Sequence, residues 1–328
     1  MNIAIIGSGN IAGQMAVAIN GLDETFHAYA IASRSLEKAR AFARKWNFEK
    51  AYGSYEELVA DENVDLVYIA TPHAMHYENA MLCITHQKAI LVEKAFTANA
   101  AQAKSLLSLA KKEHIFATEA IWTRYMPSRQ IVLDLLDSGI IGDTISLTAE
   151  FSYPLSHIKR MHSPELAGGA LLDSGVYPLT FASMFFGNDV IKFESNTQLY
   201  HTGVDANDEI KLYYRNGKTA QLRASMLSTP KNEGVIYGTD GTIRIYDLNN
   251  FSKITVYDSS DNIVKDLPIP KQINGYEYEL IACKKALGAG CLECVEMPHA
   301  ETLLLMQWMD ALRKTWGVIY PFEKEQNC

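Results

Sequence analysis

The first twelve residues, MNIAIIGSGNIA, constrain this chain more than any other stretch. Asn2 to Ile6 is a short, mostly apolar run with isoleucines at 3, 5 and 6, which suits a strand buried on both faces of a parallel sheet. The run stops at glycines. Gly7, Gly9 and Ala12 form G-x-G-x-x-A, and Ile11, Met15 and Ile19 follow at a spacing of four, an apolar stripe along one side of a helix. Gly7 permits a tight turn, Gly9 lets a pyrophosphate approach the backbone, and the small Ala12 lets helix and strand pack closely; the free N–H groups of the helix start then face the phosphates. Ser8, Asn10 and Ile11 belong to the same candidate nucleotide-binding loop. A glycine-rich turn without a ligand is the alternative, and the position between strand and helix favours the dinucleotide.

With 328 residues, at roughly 100–200 residues per domain, two domains are expected. A formal charge of −8 and an isoelectric point near 5.6 argue against a nucleic-acid or anionic-membrane surface. No apolar run approaches the ~20 residues of a membrane span, and the N-terminus lacks a basic region and a cleavage site, so a cytoplasmic location is expected. The five cysteines, at 83, 283, 291, 294 and 328, are too few and irregular for a disulfide framework. Cys291 and Cys294 form C-x-x-C, but no second pair stands at finger-like spacing, so reduced structural thiols and no metal are expected.

Phe26 to Ala32 reads as the second strand, and its end carries the cofactor information. A cofactor without a 2′-phosphate is usually held there by an Asp or Glu that accepts the ribose hydroxyls; here the strand runs into Ser33 and Arg34. A carboxylate would repel a 2′-phosphate, whereas a hydroxyl beside a guanidinium binds one by charge-assisted hydrogen bonds. That favours NADP, with NAD as the alternative. Equally, Ser33 or Ser35 could simply cap the next helix, with Arg34 solvated.

Ser54-x-x-Glu57 is a capping box, and Val64 to Ala70 is another buried strand. It ends at Thr71-Pro72-His73, with His76 one turn on. The two histidines invite a metal reading, but no third ligand is near in sequence; a place in the ligand-binding loop after a strand's carboxyl end suits these four residues better. Ala89 to Val92 forms a strand that delivers Glu93 and Lys94. Position alone leaves Lys94 open between the cofactor crevice and a surface pair with Glu93. A helix from Ala98 to Lys112 and a strand from Ile115 to Thr118 complete a doubly wound β/α pattern, so residues 1–120 are expected to form a dinucleotide-binding domain.

Residues 121–328 follow a different pattern. Ser128 to Leu136 is an amphipathic helix stopped by Gly139, and Thr144 to Tyr153 alternates as a half-buried strand. Gly168 and Gly169 lead into a helix from about Ala170 to Phe186, along which Asp173 and Tyr177 stand four apart. Asp208 to Tyr214 and Thr219 to Met226 flank Asn216-Gly217, a strong hairpin signal. Strands at Glu233 to Tyr237, Thr242 to Tyr246 and Ile254 to Tyr257 follow, and helices at about Tyr276 to Ala286 and Glu301 to Trp316 close the chain. An α+β domain with a large, mainly antiparallel sheet is expected.

Taken together, GSGNIA, SRS, TPHAMH, VEKAF, EAIWTRY and GGALLDSGVY resemble the glucose–fructose oxidoreductase/inositol dehydrogenase (Gfo/Idh/MocA) family of NAD(P)-dependent oxidoreductases. EAIWTRYMP, AGGALLDSGVYPL and MPHAETLLLMQWMD resemble in particular its dimeric dihydrodiol dehydrogenase branch. The resemblance spans essentially the whole chain and implies a Rossmann-type first domain, a substrate and dimerisation domain that pairs through its sheet, and a nicotinamide lying between them. One departure stands out: the family usually has Glu-Lys-Pro where this chain has Glu93-Lys94-Ala95, and alanine carries a much larger cis penalty than proline.

Moving a hydride to or from a carbon that bears a hydroxyl requires a proton to move as well, so an acid/base must reach that oxygen. By resemblance, Lys94, Asp173 and Tyr177 are the catalytic set. A neighbouring ammonium favours phenolate, lowering the tyrosine's pKa towards working pH, and Asp173 would orient the lysine or the substrate hydroxyl. Taken alone, Asp173 is more often a helix-surface or cap carboxylate and Tyr177 a packed aromatic with a wet hydroxyl; the resemblance reverses that order. Trp122, Arg124, Phe151 and Tyr153 are candidates for the substrate pocket, with ordinary core as the alternative, and Trp122 and Arg124 also stand among the cofactor candidates with Glu93 and Lys94. The expected substrate is a small neutral cyclic polyol, sugar or trans-dihydrodiol. Rival readings are a cofactor-binding sensor without turnover and an NAD-dependent glycoside hydrolase.

Overall fold

A computed structural model describes residues 1–324; Cys328 lies outside them. The chain forms two compact units, one of Met1–Tyr125 with Gln272–Gln307, the other of Met126–Lys271 with the chain from Trp308 on. The division near residue 125 is close to the expected boundary at 120, but residues 272–307, expected in the second domain, are part of the first unit.

The first unit is built on six parallel strands: β1 (Asn2–Ile6), β2 (His27–Ala32), β3 (Lys50–Tyr52), β4 (Leu66–Ile69), β5 (Ala89–Glu93) and β6 (Ala117–Ala120). Their order is β3-β2-β1-β4-β5-β6. Ile3, Ile5 and Ile6, and every residue of β4 and β5, are buried, which is why these strands read as continuous apolar runs rather than alternating ones. The helix Asn10–Gly21 buries Ala12, Met15, Ala16 and Ile19. Because the chain runs outward from β1 to β3 and returns to β4 beside β1, the turns after β1 and β4 meet at the topological switch point where ligands of such sheets bind.

Residues 272–307 join this unit through specific contacts. The side chain of Asn274 donates to the Gln14 carbonyl (2.9 Å), and the N–H of Ala117 on edge strand β6 donates to the Leu292 carbonyl (3.0 Å), which covers part of an otherwise unpaired edge. The strand expected at Ile115 to Thr118 starts later. The preceding helix ends through His114 at φ 58° and an Ile115 N–H bonded to the Ala110 carbonyl (2.8 Å), so residues 113–116 are used by the turn.

The second unit carries an eight-stranded sheet of β7 (Thr144–Ser152), β8 (Val190–Leu199), β9 (Asp205–Tyr214), β10 (Thr219–Ser225), β11 (Lys231–Gly238), β12 (Gly241–Tyr246), β13 (Lys253–Asp258) and β14 (Ile263–Leu267), ordered β14-β13-β12-β11-β7-β10-β9-β8. All pairs are antiparallel except β7 with β10. The Asn216-Gly217 hairpin joins β9 to β10, with Gly217 at φ 83°. The helix Val176–Phe186 packs against β7 and β10 and is buried almost all round. It does not begin as expected: Leu171–Gly175 forms a π-type turn ahead of it.

Candidate active site

The turn after β1 is shaped by two glycines for different reasons. Gly7 sits at φ 103°, a left-handed conformation that disfavours side chains, and a Cβ there would stand 2.7 Å from the Ala70 carbonyl oxygen of the neighbouring turn. At Gly9 a Cβ would meet nothing within 4 Å, so it would project into the open cleft that the bare backbone leaves. Gly9 also caps the helix Asn10–Gly21 with no side-chain hydrogen bond, so the first N–H groups remain available to a ligand. Missing side chains, free N–H groups and a helix start together fit the pyrophosphate of a dinucleotide.

Gly7, Ser8, Gly9, Ser33, Arg34, Thr71 and Pro72 line one cleft of about 320 Å³, joined by Ser35, Lys38, Tyr55, Ala70 and Met75. The first group are residues the sequence reading assigned to a nucleotide site; Lys38 and Tyr55, which come from separate helices, were not among them. Ser35, not Ser33, caps the helix Leu36–Trp46: its hydroxyl accepts the Lys38 N–H (3.4 Å). Ser33 is thereby left facing Ser8, whose hydroxyl donates to it (3.3 Å). Among the described residues no Asp or Glu lines the cleft. Asn10 is exposed and Ile11 half-buried at the helix start.

Beyond β5, the Lys94–Ala95 peptide is cis. Lys94 is half-buried, while Glu93 is buried and accepts a hydrogen bond from the Tyr68 phenol. His76 is fully buried, with Nε2 2.7 Å from the Thr71 carbonyl and Nδ1 2.9 Å from that of Ala95, and burial holds its pKa below the usual value. It thus ties the Thr71 turn to the lysine's segment, while His73 stacks edge-on against it at 5.7 Å. Glu119, which the sequence reading did not single out, accepts the Phe96 N–H (3.0 Å); burial pushes its carboxyl up to about 7.

Trp122 stacks on Tyr276 with ring centroids 4.2 Å apart, and its indole nitrogen is buried with no hydrogen-bond partner among the described residues. Arg124 is buried in an ion pair with Glu301 (2.8 Å) and donates from Nε to the Glu296 carbonyl (2.9 Å), a commitment to residues 272–307 that its spacing gave no means to foresee.

In the second unit, Phe151 lies between two phenols, with centroids 4.7 Å from Tyr177 and 5.0 Å from Tyr153. Tyr153 accepts a hydrogen bond from Asn232 (3.2 Å). Asp173 is buried and accepts from the Arg160 guanidinium at 2.6 Å. Arg160 comes from the connection after β7, a stretch with no periodic signal. Asp173 belongs to the π-type turn and Tyr177 to the helix after it, so their four-residue spacing is not that of a regular α-helix.

Among the described residues no group of three or more His, Cys, Asp and Glu is placed to hold a metal ion. Cys83, Cys283, Cys291 and Cys294 are free thiols. No helix among the described residues is long and apolar enough to cross a membrane.

Residues 1–120 match the family model for the oxidoreductase family with an NAD-binding Rossmann fold, and residues 130–244 match the GFO/IDH/MocA C-terminal domain. The chain is 34% identical to trans-1,2-dihydrobenzene-1,2-diol dehydrogenase of Mus musculus, covering 98% of both chains, and 32% identical to the Homo sapiens protein of that name, again covering 98% of each. Its fold is similar to that of KijD10, a 3-ketoreductase from Actinomadura kijaniata solved with NADP and TDP-benzene, with a TM-score of 0.88 at 25% identity over 96% of this chain and 97% of that one. The two family models together match well over half of the chain, and the chain belongs to the Gfo/Idh/MocA family of NAD(P)-dependent oxidoreductases.

Proposed function

We propose that the chain is an NADP-preferring dehydrogenase that transfers a hydride between nicotinamide C4 and a secondary alcohol or carbonyl of a small neutral cyclic polyol, sugar or trans-dihydrodiol. The observation that carries the cofactor preference is the cleft beyond β2: Arg34 and Lys38 line it with Ser33, and no carboxylate does. The substrate class rests on the full-length relatives named as dihydrodiol dehydrogenases and on the aromatic group Phe151, Tyr153 and Tyr177, whose faces suit a ring or the C–H face of a sugar. The Asp173 carboxylate engages the Arg160 guanidinium, so their opposite charges offset each other, in keeping with a neutral substrate.

Bound NADP supplies or takes up the hydride. The chain's own groups manage the proton: Tyr177 exchanges it with the substrate oxygen, Lys94 favours the phenolate, and Asp173 accepts a hydrogen bond from a substrate hydroxyl. Glycines 7 and 9, Ser8, Asn10 and Ile11 hold the pyrophosphate; Thr71, Pro72, His73, His76, Glu93, Trp122 and Arg124 shape the rest of the nucleotide site directly or through the contacts above. Nucleotide binding belongs to the first unit, and substrate binding and self-association to the second. The open face of the eight-stranded sheet, with Glu150, Glu209, Lys211, Arg223 and Glu233 around a cavity of about 770 Å³, is our candidate for a homodimer interface, because charges of both signs there can pair across a two-fold axis. We place the protein in the cytoplasm, which its free thiols suit.

The test is nicotinamide absorbance with NADP+ and NAD+ against a panel of diols, sugars and inositols. Turnover of a neutral member with about tenfold or greater preference for NADP+ supports the reading. Nucleotide binding without turnover of any member refutes it.

A further inference from the structure

The segment Ala167 to Leu171, which leads into the π-type turn, is held by two side chains far away in sequence and by one backbone bond nearer by. The Tyr320 phenol donates to the Gly168 carbonyl (2.9 Å), the Gly169 N–H donates to the Met161 carbonyl (2.8 Å), and the Leu171 N–H donates to Asp205 Oδ2 (2.6 Å). Gly169 sits at φ 124°, and a Cβ there would run into the Asp205 carboxylate, so glycine is needed for the carboxylate to come this close.

Asp205 opens β9 and is fully buried, as is Asp208 three residues on. In a regular strand residues three apart face opposite sides, but the β8–β9 register shifts between Gln198 and Leu199, between the partners of these two aspartates. The Thr197 hydroxyl donates to Asp208 Oδ1 (2.6 Å), whereas Asp205 Oδ1 and Asp208 Oδ2 are buried without a donor among the described residues, so a proton shared between the two carboxyls would satisfy both.

Burial raises both carboxyls, and the charge of Asp205 adds to it at Asp208, which is pushed well above the usual carboxylate range, so Asp208 is the member of the pair that holds the proton. The other ionisable groups around the pair are Tyr320, raised by burial, and Arg313, which lies over the Tyr320 ring at 4.5 Å and pairs with Glu323 and Asp310. The Asp205–Asp208 pair thus sets one negative charge at the start of the helical segment that holds Asp173 and Tyr177, where a charge of that sign is favourable.

We propose that Asp205, oriented by Asp208, is a positioning residue for the reaction, holding the π-type turn that sets Asp173 against Tyr177. The inference rests on the catalytic roles proposed above for those two residues. A π-type turn accommodates one residue more than an α-turn; its relaxation to α would rotate Asp173 by about 100° relative to Tyr177, enough to take the carboxylate off a bound substrate.

The experiment compares wild type, Asp205→Ala, Asp208→Asn and Tyr177→Phe by kcat and KM on the panel substrate that the wild type turns over fastest, with NADPH affinity as the control because its cleft lies in the first unit. Asp205→Ala is expected to lose about tenfold or more in kcat with NADPH affinity unchanged. Asp208→Asn, whose amide still donates to Asp205 while its oxygen still accepts from Thr197, keeps kcat near the wild-type value and holds it further into alkali, since it has no proton to lose. Folded Asp205→Ala with wild-type kcat, or identical alkaline limbs in wild type and Asp208→Asn, overturns the proposal; the second comparison stands even if Asp205→Ala fails to fold. Full turnover by Tyr177→Phe would instead overturn the catalytic reading, so the two failures are told apart.

Discussion

Removing the two cations of the nucleotide cleft should abolish the preference for NADP without weakening NAD. Arg34 and Lys38 are both solvent-exposed, so each contact to a 2′-phosphate is worth less than a buried charge-assisted bond, about 1–1.5 kcal/mol. The pair together then supplies about 2–3 kcal/mol, or roughly 30–150-fold in affinity. NADH offers no phosphate at that place, so its affinity in Arg34→Ala/Lys38→Ala should move less than about twofold. Fluorescence titration with NADPH and NADH gives both dissociation constants. The NADPH constant of the wild type should also weaken steeply as ionic strength rises from about 0.01 M to about 1 M, and that slope should flatten in the double variant. A wild-type ratio near one, or a double variant that keeps the wild-type ratio, would refute the assignment.

Glu301→Ala should cost about 3–5 kcal/mol, because it strands the buried Arg124 guanidinium; a thermal melt should fall by roughly 10 °C, and an unchanged melt would contradict a structural role for the pair. Glu119, held near pKa 7 by burial, keeps a proton in the folded state that the unfolded chain releases from about pH 4.5 upward, so stability should fall as pH rises between about 4.5 and 7. Glu119→Gln removes that cost and should be more stable than wild type by up to about 3 kcal/mol in urea unfolding above pH 7, with the difference vanishing in acid. An equal pH slope in the two proteins would show that Glu119 does not titrate in this range.

Much of the first unit could be read from local chemistry. The apolar run of β1, the bare turn at Gly7 and Gly9, and the Ser54 cap, whose hydroxyl accepts the Glu57 N–H (3.2 Å), are each specified by neighbours in sequence, as is the Asn216-Gly217 hairpin in the second unit. The strands that were missed are short or lie at sheet edges. β3 has three residues; β8 and β14 lie at the two ends of their sheet, carry charges and bury little, so no apolar alternation marks them. The parallel pairing of β7 with β10 and the packing of residues 272–307 on the first unit depend on long-range contacts that no spacing rule encodes. The same limit applies within each unit: Lys38 lines the cleft from a helix, and Arg160 reaches Asp173 from the connection after β7, whereas Ser33, Arg34 and Thr71 stand next to strand ends, where sequence alone suggests a ligand loop.

The central claim is that Lys94 and Tyr177 serve one proton transfer, and a double-mutant cycle tests it most directly. With Lys94→Met, Tyr177→Phe and the double variant assayed on the same substrate, groups that act as a unit are grossly non-additive: each single change should cost nearly as much kcat as both together, with NADPH still bound. Losses that simply multiply, or a single variant with undiminished kcat, would contradict the account.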